Sequence, residues 1–167
     1  MRILINDANI LIDLIRLACV DAFFKLDAEV VTTDFVLEEL EIEQQLIFQN
    51  SNFRVLTSDS LAISEISRMK EQHPGLSFED CSVWHHARLS GGVLVTGDGL
   101  LRKKARVEGI EVRGIIFLIT ELKTQNILGI QDCIRLLDQL KQINPRLPIQ
   151  EIENLIYNWE MELNRNR

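Results

Sequence analysis

The chain opens on a short apolar run, Ile3-Leu4-Ile5, closed by Asn6-Asp7. Apolar residues then recur at helical spacing through Ile10, Leu11, Leu14, Ile15 and Ala18. This reads as a buried strand followed by a helix. The alternation continues. Glu29-Val30-Val31-Thr32-Thr33 is strand-like through its β-branched content. Asp34 is placed to cap a helix with Phe35 to Phe48 as its body, and Phe53 to Thr57 predicts a third strand. Ser58-Asp59-Ser60 precedes helical positions Leu61, Ile63, Ile66 and Met69, which His73-Pro74-Gly75 interrupts. Ser77 starts another helix through Trp84, Ala87 and Leu89, ended by Gly91-Gly92. Val93 to Thr96 predicts a fourth strand, Asp98 to Val107 a helix, and Gly109 to Arg113 a short fifth strand.

Strands alternating with helices imply βαβ units. The fold class expected is therefore α/β: a doubly wound, mainly parallel sheet of about five strands. After about residue 120 the strand pattern stops. Ile130 to Ile143 is amphipathic, Asn144 to Pro148 is a rigid break, and Ile149 to Leu163 reads as a second helix. The expected organisation is an α/β domain over residues 1–120 and a C-terminal helical extension over residues 121–167, packed on the same domain.

Composition narrows this little. With 167 residues, 46% hydrophobic and 26% charged, the chain has the means for one domain with a sizeable core. Its first residues reach Asn6-Asp7 too soon for a signal-peptide core, and no apolar stretch approaches the roughly 20 residues that span a bilayer. Gly114 to Ile119, the longest candidate, is far too short. Cys19, Cys81 and Cys133 are scattered without C-x-x-C spacing, which reads as buried reduced thiols rather than a zinc site. A soluble, cytoplasmic protein is expected, with no membrane partner.

Candidate chemistry lies in four acids. Asp7 closes the first apolar run, Asp98 follows the fourth, and Glu39 and Asp80 fall early in predicted helices. In an open parallel sheet, ligands bind beyond the carboxyl ends of strands where the chain order reverses. Carboxylates gathered there raise one another's pKa unless a divalent cation neutralises them, and hard oxygen ligands select Mg²⁺ or Mn²⁺. Each acid also has a plain structural reading. Asp7 could be a turn residue like Asn6 and Asn9, and Asp80 the partner of Ser77 in a capping box. Asp98 could be a helix N-cap, and Glu39 one charge among Glu38, Glu41 and Glu43 on a solvated face. Asp13 falls on the first helix and reads as a surface or supporting residue.

Thr96, a hydroxyl at a strand end near Asp98, could orient a water or a phosphate. Adjacent His85 and His86 point about 100° apart on a helix and cannot chelate one ion together, so they read as structural or surface residues. A net charge of −7 works against non-specific nucleic-acid binding. Bound cations would cancel part of it, and Arg102, Lys103, Lys104 and Arg106 form a local basic run. That run is either a solvated helix face or a guide for a phosphate backbone, with Arg102 nearest the acid.

Four segments in order resemble the PIN-domain family of metal-dependent nucleases: Asp7 to Asp13, Val36 to Leu40, Leu76 to Asp80, and Leu94 to Arg102. The layout also resembles the VapC-type toxins and their stand-alone prokaryotic relatives. The resemblance implies a PIN-like fold and a metal-dependent endoribonuclease. Asp7, Glu39, Asp80 and Asp98 would be catalytic and metal-holding, Asn9 and Thr96 supporting, and Arg102 and Lys103 RNA-binding. It selects Glu39 over Glu38, because the ligand stands just before an apolar residue, here Leu40. It further implies an RNA substrate, a toxin role with an antitoxin partner, and a homodimer. The family's additional polar residue is replaced here by Gly97. Two alternatives stand beside this reading. One is a PIN-fold RNA-binding or scaffold module that is weak or inactive in catalysis. The other is a receiver-like signalling domain with Asp59 as phosphoacceptor.

Overall fold

The computed structural model describes residues 1–165. Five strands form one parallel sheet: β1 (Ile3–Asn6), β2 (Glu29–Thr33), β3 (Phe53–Leu56), β4 (Val93–Val95) and β5 (Val112–Arg113). Their order is β3-β2-β1-β4-β5. The chain winds outward from β1 to β3, then returns to the other side of β1 for β4 and β5. The switch point therefore lies between β1 and β4, which pair through Leu4 with Val93 and Asn6 with Val95. The doubly wound α/β expectation holds, with all pairings parallel. Receiver-like domains follow the order 2-1-3-4-5, so this topology overturns that alternative. Asp59 instead caps α5 (Ser60–Gln72), where its carboxylate accepts from the Ala62 amide.

The strands read as continuous apolar runs because helices cover both faces of a parallel sheet. Leu4, Ile5, Val30, Val31, Val93, Leu94 and Val95 are all buried. The most buried helix is α6 (Phe78–Ser90), which packs against β1, β2 and β4 and buries Cys81, Ser82, Val83, Trp84, His85 and Ala87. Ser77 caps it, and Gly91, in the left-handed conformation at φ 65°, ends it. A residue with a Cβ would be strained there.

The sheet and its flanking helices form one compact unit, Met1–Ile12 with Asp27–Ile115. A second unit gathers Asp13–Leu26 with the chain from Ile116 onward. It holds α2 (Val20–Phe23), α9 (Ile130–Ile143) and α10 (Ile149–Arg165), the last two packed on each other. Cys133, Leu137, Leu140, Ile152 and Trp159 are buried there. No helix among the described residues is long and apolar enough to cross a membrane.

Three expectations need correction. The single helix over 35–48 is two: α3 (Asp34–Glu39) and α4 (Ile42–Ile47), separated by Leu40 in an extended conformation. Leu40 is buried, whereas no residue of α4 is, and the Gln44 side chain accepts the Glu41 amide to start the new helix. Thr33, not Asp34, caps α3, so Glu39 is that helix's last residue rather than an early one. Ile115–Thr124, which opens on an apolar run with no helical signal, forms helix α8.

Candidate metal centre at the strand switch

Five buried polar residues of the sheet unit collect where β1, β2 and β4 end. Asn6, Thr32, Thr33 and Thr96 are 0% exposed and Asp7 is 3% exposed. Polar groups this deep are mostly kept by hydrogen bonds. Asn6 donates its amide to the Leu4 and Val31 carbonyls at 2.8 and 3.0 Å, and Thr32 donates to the Asn6 carbonyl at 2.6 Å. Thr33 shares a 2.7 Å hydrogen bond with Ser82 of α6. These bonds fix the strand ends relative to one another and to α6.

Asp7 extends the β1–β4 ladder, its amide donating to the Val95 carbonyl at 3.0 Å. It stands just before α1 (Ala8–Arg16). One carboxylate oxygen accepts the Ala8 amide and the other accepts the Thr96 hydroxyl, both at 2.8 Å. Thr96 Oγ1 in turn accepts the Asp98 amide at 3.1 Å. One threonine thus links the two acids across the switch point. Asp98 Oδ1 accepts the Leu101 amide at 2.7 Å and caps α7 (Gly99–Val107). Asp80 and Ser77 form the expected capping box: Asp80 Oδ2 accepts the Ser77 amide at 2.8 Å, and Ser77 Oγ accepts the Asp80 amide at 3.0 Å. Each cap occupies one oxygen of its carboxylate.

The acids sense one another. Burial pushes Asp7 up from 3.8 to about 6, reinforced by Asp80 and Asp98 and opposed by its bonds from Thr96 and Ala8. Loss of water around the carboxyl lifts Glu39 from 4.5 to about 7, followed by repulsion from Glu79, Asp7 and Asp80. Because Glu39 as a residue is exposed, solvent screens part of that effect. Asp80 is raised by burial first and by Asp98 and Glu79 after it, against the pull of Ser77. The structure therefore brings Asp7, Glu39, Asp80 and Asp98 into one electrostatic cluster. Glu79 is a fifth member that sequence reasoning passed over, although it stands beside Asp80 in the first turn of α6.

The donor set fits a hard divalent cation: it is all oxygen and in charge excess, and no ion pair among the described residues involves any of the four acids. Each of three carboxylates is tied to a neighbouring amide. Among the described residues, no three His, Cys, Asp or Glu side chains are drawn close enough to form a ready-made ion-holding group.

The other expected residues divide. Thr96 belongs to the cluster. Asn9 is exposed in the first turn of α1, and its side chain makes no hydrogen bond to the four acids among the described residues. Asp13 is not a surface residue: it is buried and accepts from Asn144 at 3.0 Å. His85 is likewise buried, with no hydrogen-bond partner at either ring nitrogen among the described residues, and His86 meets Ser58 Oγ at 3.2 Å. Neither histidine enters the acid cluster. Glu38 and Lys103 are exposed. Arg102 turns one guanidinium nitrogen to the Thr96 carbonyl at 2.8 Å.

A family model described as a PIN domain matches residues 3–161. Among solved structures, PAE2754 from Pyrobaculum aerophilum superposes with a TM-score of 0.57 at 22% identity, covering 74% of this chain and 98% of that one. VapBC2 from Rickettsia felis, bound to a DNA fragment from their promoter, gives a TM-score of 0.46 at 16% identity, covering 67% and 98%. No curated protein matches the sequence.

Proposed function

We propose that the chain, which belongs to the PIN-domain family, is an endoribonuclease dependent on Mg²⁺ or Mn²⁺, with its site at the β1–β4 switch point. The observation that carries this is the convergence of carboxylates there, with Asp7, Glu39 and Asp80 raised in pKa by burial and by one another, and none of the four acids in an ion pair among the described residues. Asp7, Glu39, Asp80 and Asp98 would hold the cation. Once bound, the cation would lower the pKa of a water and offset charge on the phosphodiester. Thr96 holds one Asp7 oxygen and the Asp98 amide, so it sets the separation of the acids flanking the switch point. Glu39, whose carboxyl is raised by loss of water and by its acidic neighbours, must release any proton it holds to serve as a ligand. Lys103 and Arg106, exposed on α7, steer the RNA backbone toward the acids.

The proposal includes a protein partner of antitoxin type and a cytoplasmic setting. Helix α4 leaves Ile42, Leu46 and Ile47 exposed beside acidic Glu41 and Glu43, a face suited to a basic, apolar segment. Buried free thiols at Cys19, Cys81 and Cys133 suit a reducing compartment.

The test is cleavage of an end-labelled, single-stranded RNA by purified protein with Mn²⁺ or Mg²⁺. Products should appear with metal and vanish with chelator, and Asp80→Asn should remove them. Equal cleavage by Asp80→Asn, or in chelator, would point to a contaminant or another site.

A further inference from the structure

We infer that Arg102 is a positioning residue, a clamp on the backbone of Thr96 that keeps the acids at the switch point in register, and that Gly114 is small to make room for it. The inference rests on the proposed metal site and gives it a supporting part. The sheet poses a specific problem at this end. Leu94 donates to the Glu111 carbonyl and Thr96 to the Arg113 carbonyl, the regular slanted pattern of parallel strands. That register makes the Ile115 amide the next donor, to the Thr96 carbonyl. But β5 stops at Arg113 and α8 begins at Ile115, which takes that amide out of the ladder. Thr96 is fully buried, and a buried carbonyl is rarely left without a donor. Arg102 supplies the replacement: its guanidinium donates to the Thr96 oxygen at 2.8 Å from the first turn of α7.

The position of Thr96 matters because the same residue serves two acids. Its hydroxyl donates to Asp7 and accepts from the Asp98 amide. The backbone of Thr96 is thus held from one side by Arg102 while its side chain holds Asp7 and Asp98 from the other. Outer partners that orient ligands in this way are worth about 10–100-fold in metal affinity or activity. The room for the clamp comes from Gly114. A Cβ added there would lie 3.0 Å from the Arg102 nitrogen and 3.8 Å from the Thr96 carbonyl oxygen. The guanidinium is the movable party, so an alanine at 114 would displace it without blocking the fold.

The arrangement sets Arg102 apart from its exposed neighbour Lys103, for a guanidinium that binds phosphate acts through charge, whereas this one acts through a directed N–H. The two roles separate experimentally. Arg102→Lys keeps the charge and loses the planar fork. Gly114→Ala keeps every charge and pushes the guanidinium nitrogen off the Thr96 carbonyl by a few tenths of an ångström, lengthening the hydrogen bond. If Arg102 is the clamp, Arg102→Ala and Arg102→Lys weaken Mn²⁺ binding by calorimetry about tenfold or more, and Gly114→Ala weakens it in the same direction but less. All three lower kcat while the KM for RNA and the salt slope of RNA binding stay within error. Lys103→Ala should do the reverse, lowering the salt slope by about one unit and leaving Mn²⁺ affinity alone. Hydrogen exchange in the metal-free protein tests the clamp without any activity. The Asp98 amide, bonded to Thr96 Oγ1, should exchange faster in Arg102→Ala and in Gly114→Ala than in wild type. Unchanged exchange at Asp98 in both variants would overturn the clamp, even if metal binding and RNA cleavage proceed as proposed. So would an Arg102→Ala variant that alters only the salt slope and is rescued by lysine. Wild-type protein that neither binds Mn²⁺ nor cleaves RNA would instead defeat the proposed function, with the exchange result still deciding the clamp.

Discussion

Asp7→Asn should make the metal-free protein more stable at pH 8 and less stable at pH 4. Asp7 is 3% exposed and its pKa rises from 3.8 to about 6 on folding. The folded state therefore binds the proton more tightly than the unfolded state. Stability contributed by the neutral form is present below pH 3.8 and is lost as pH rises through about 6. At roughly 1.4 kcal/mol per pH unit, the charged carboxylate costs about 3 kcal/mol above pH 7. Asparagine removes that cost but cannot accept from both Thr96 and Ala8, forfeiting about 1 kcal/mol of hydrogen bonding. The net gain at pH 8 is about 2 kcal/mol, or about 4–8 °C in melting temperature for a chain of this size. The transfer gain falls by about half at pH 5 and nearly vanishes at pH 4, where the lost hydrogen bond dominates. Urea unfolding of both proteins in chelator, from pH 4 to pH 8, measures this directly. A variant less stable than wild type at pH 8, or a gain that does not change with pH, would refute the reasoning. Burial of the charged carboxylate would then not be what raises Asp7.

Further expectations follow from the same cluster. Glu39→Gln should weaken Mn²⁺ binding at least tenfold, whereas exposed Glu38→Gln should leave it unchanged; comparable losses in calorimetry would dissolve the assignment to Glu39. Wild-type Mn²⁺ affinity should rise between pH 5.5 and pH 8, because Asp7 and Glu39 give up protons over that range, and a flat profile by the same method counts against their being ligands. Ser77→Ala deletes the cap that accepts the Asp80 amide and should cost about 1 kcal/mol in urea unfolding; no loss would mean that α6 draws nothing from its cap.

Much of the fold was legible in the residues. Runs such as Ile3-Leu4-Ile5 and Val93-Leu94-Val95 are apolar on both faces, as strands inside a parallel sheet must be. Ser77 and Asp98 announced the helices they cap because capping is local chemistry. The break at Leu40 was not legible. The apolar positions Leu37, Leu40 and Ile47 can be read as one continuous stripe, and only the extended backbone at Leu40 splits it. Helix α8 was missed because Ile115 to Ile119 is apolar all round and carries no helical period.

At the site, Asp7, Asp80 and Asp98 stand at strand ends and helix starts, whereas Glu39 ends α3 and is marked only by the resemblance; the meeting of Asp7 with Asp98 depends on β4 pairing with β1, a non-local contact. The Thr96 link between Asp7 and Asp98 depends on the same pairing. Glu79 was in view next to Asp80, yet adjacency on a helix does not say which carboxylate faces Glu39. Arg102 was read by its charge. Its bond to the Thr96 carbonyl arises from where β5 ends, which the local sequence does not mark.

The central claim is that the crevice between the ends of β1 and β4 takes a divalent cation. Crystals grown with Mn²⁺ and measured at the manganese absorption edge test it most directly. The account predicts anomalous density bounded by the carboxylates of Asp7 and Asp98, with oxygens at about 2.0–2.6 Å, absent in crystals of Asp7→Asn. Manganese bound elsewhere on the molecule with none between these carboxylates, or a peak there that persists unchanged in Asp7→Asn, would contradict it.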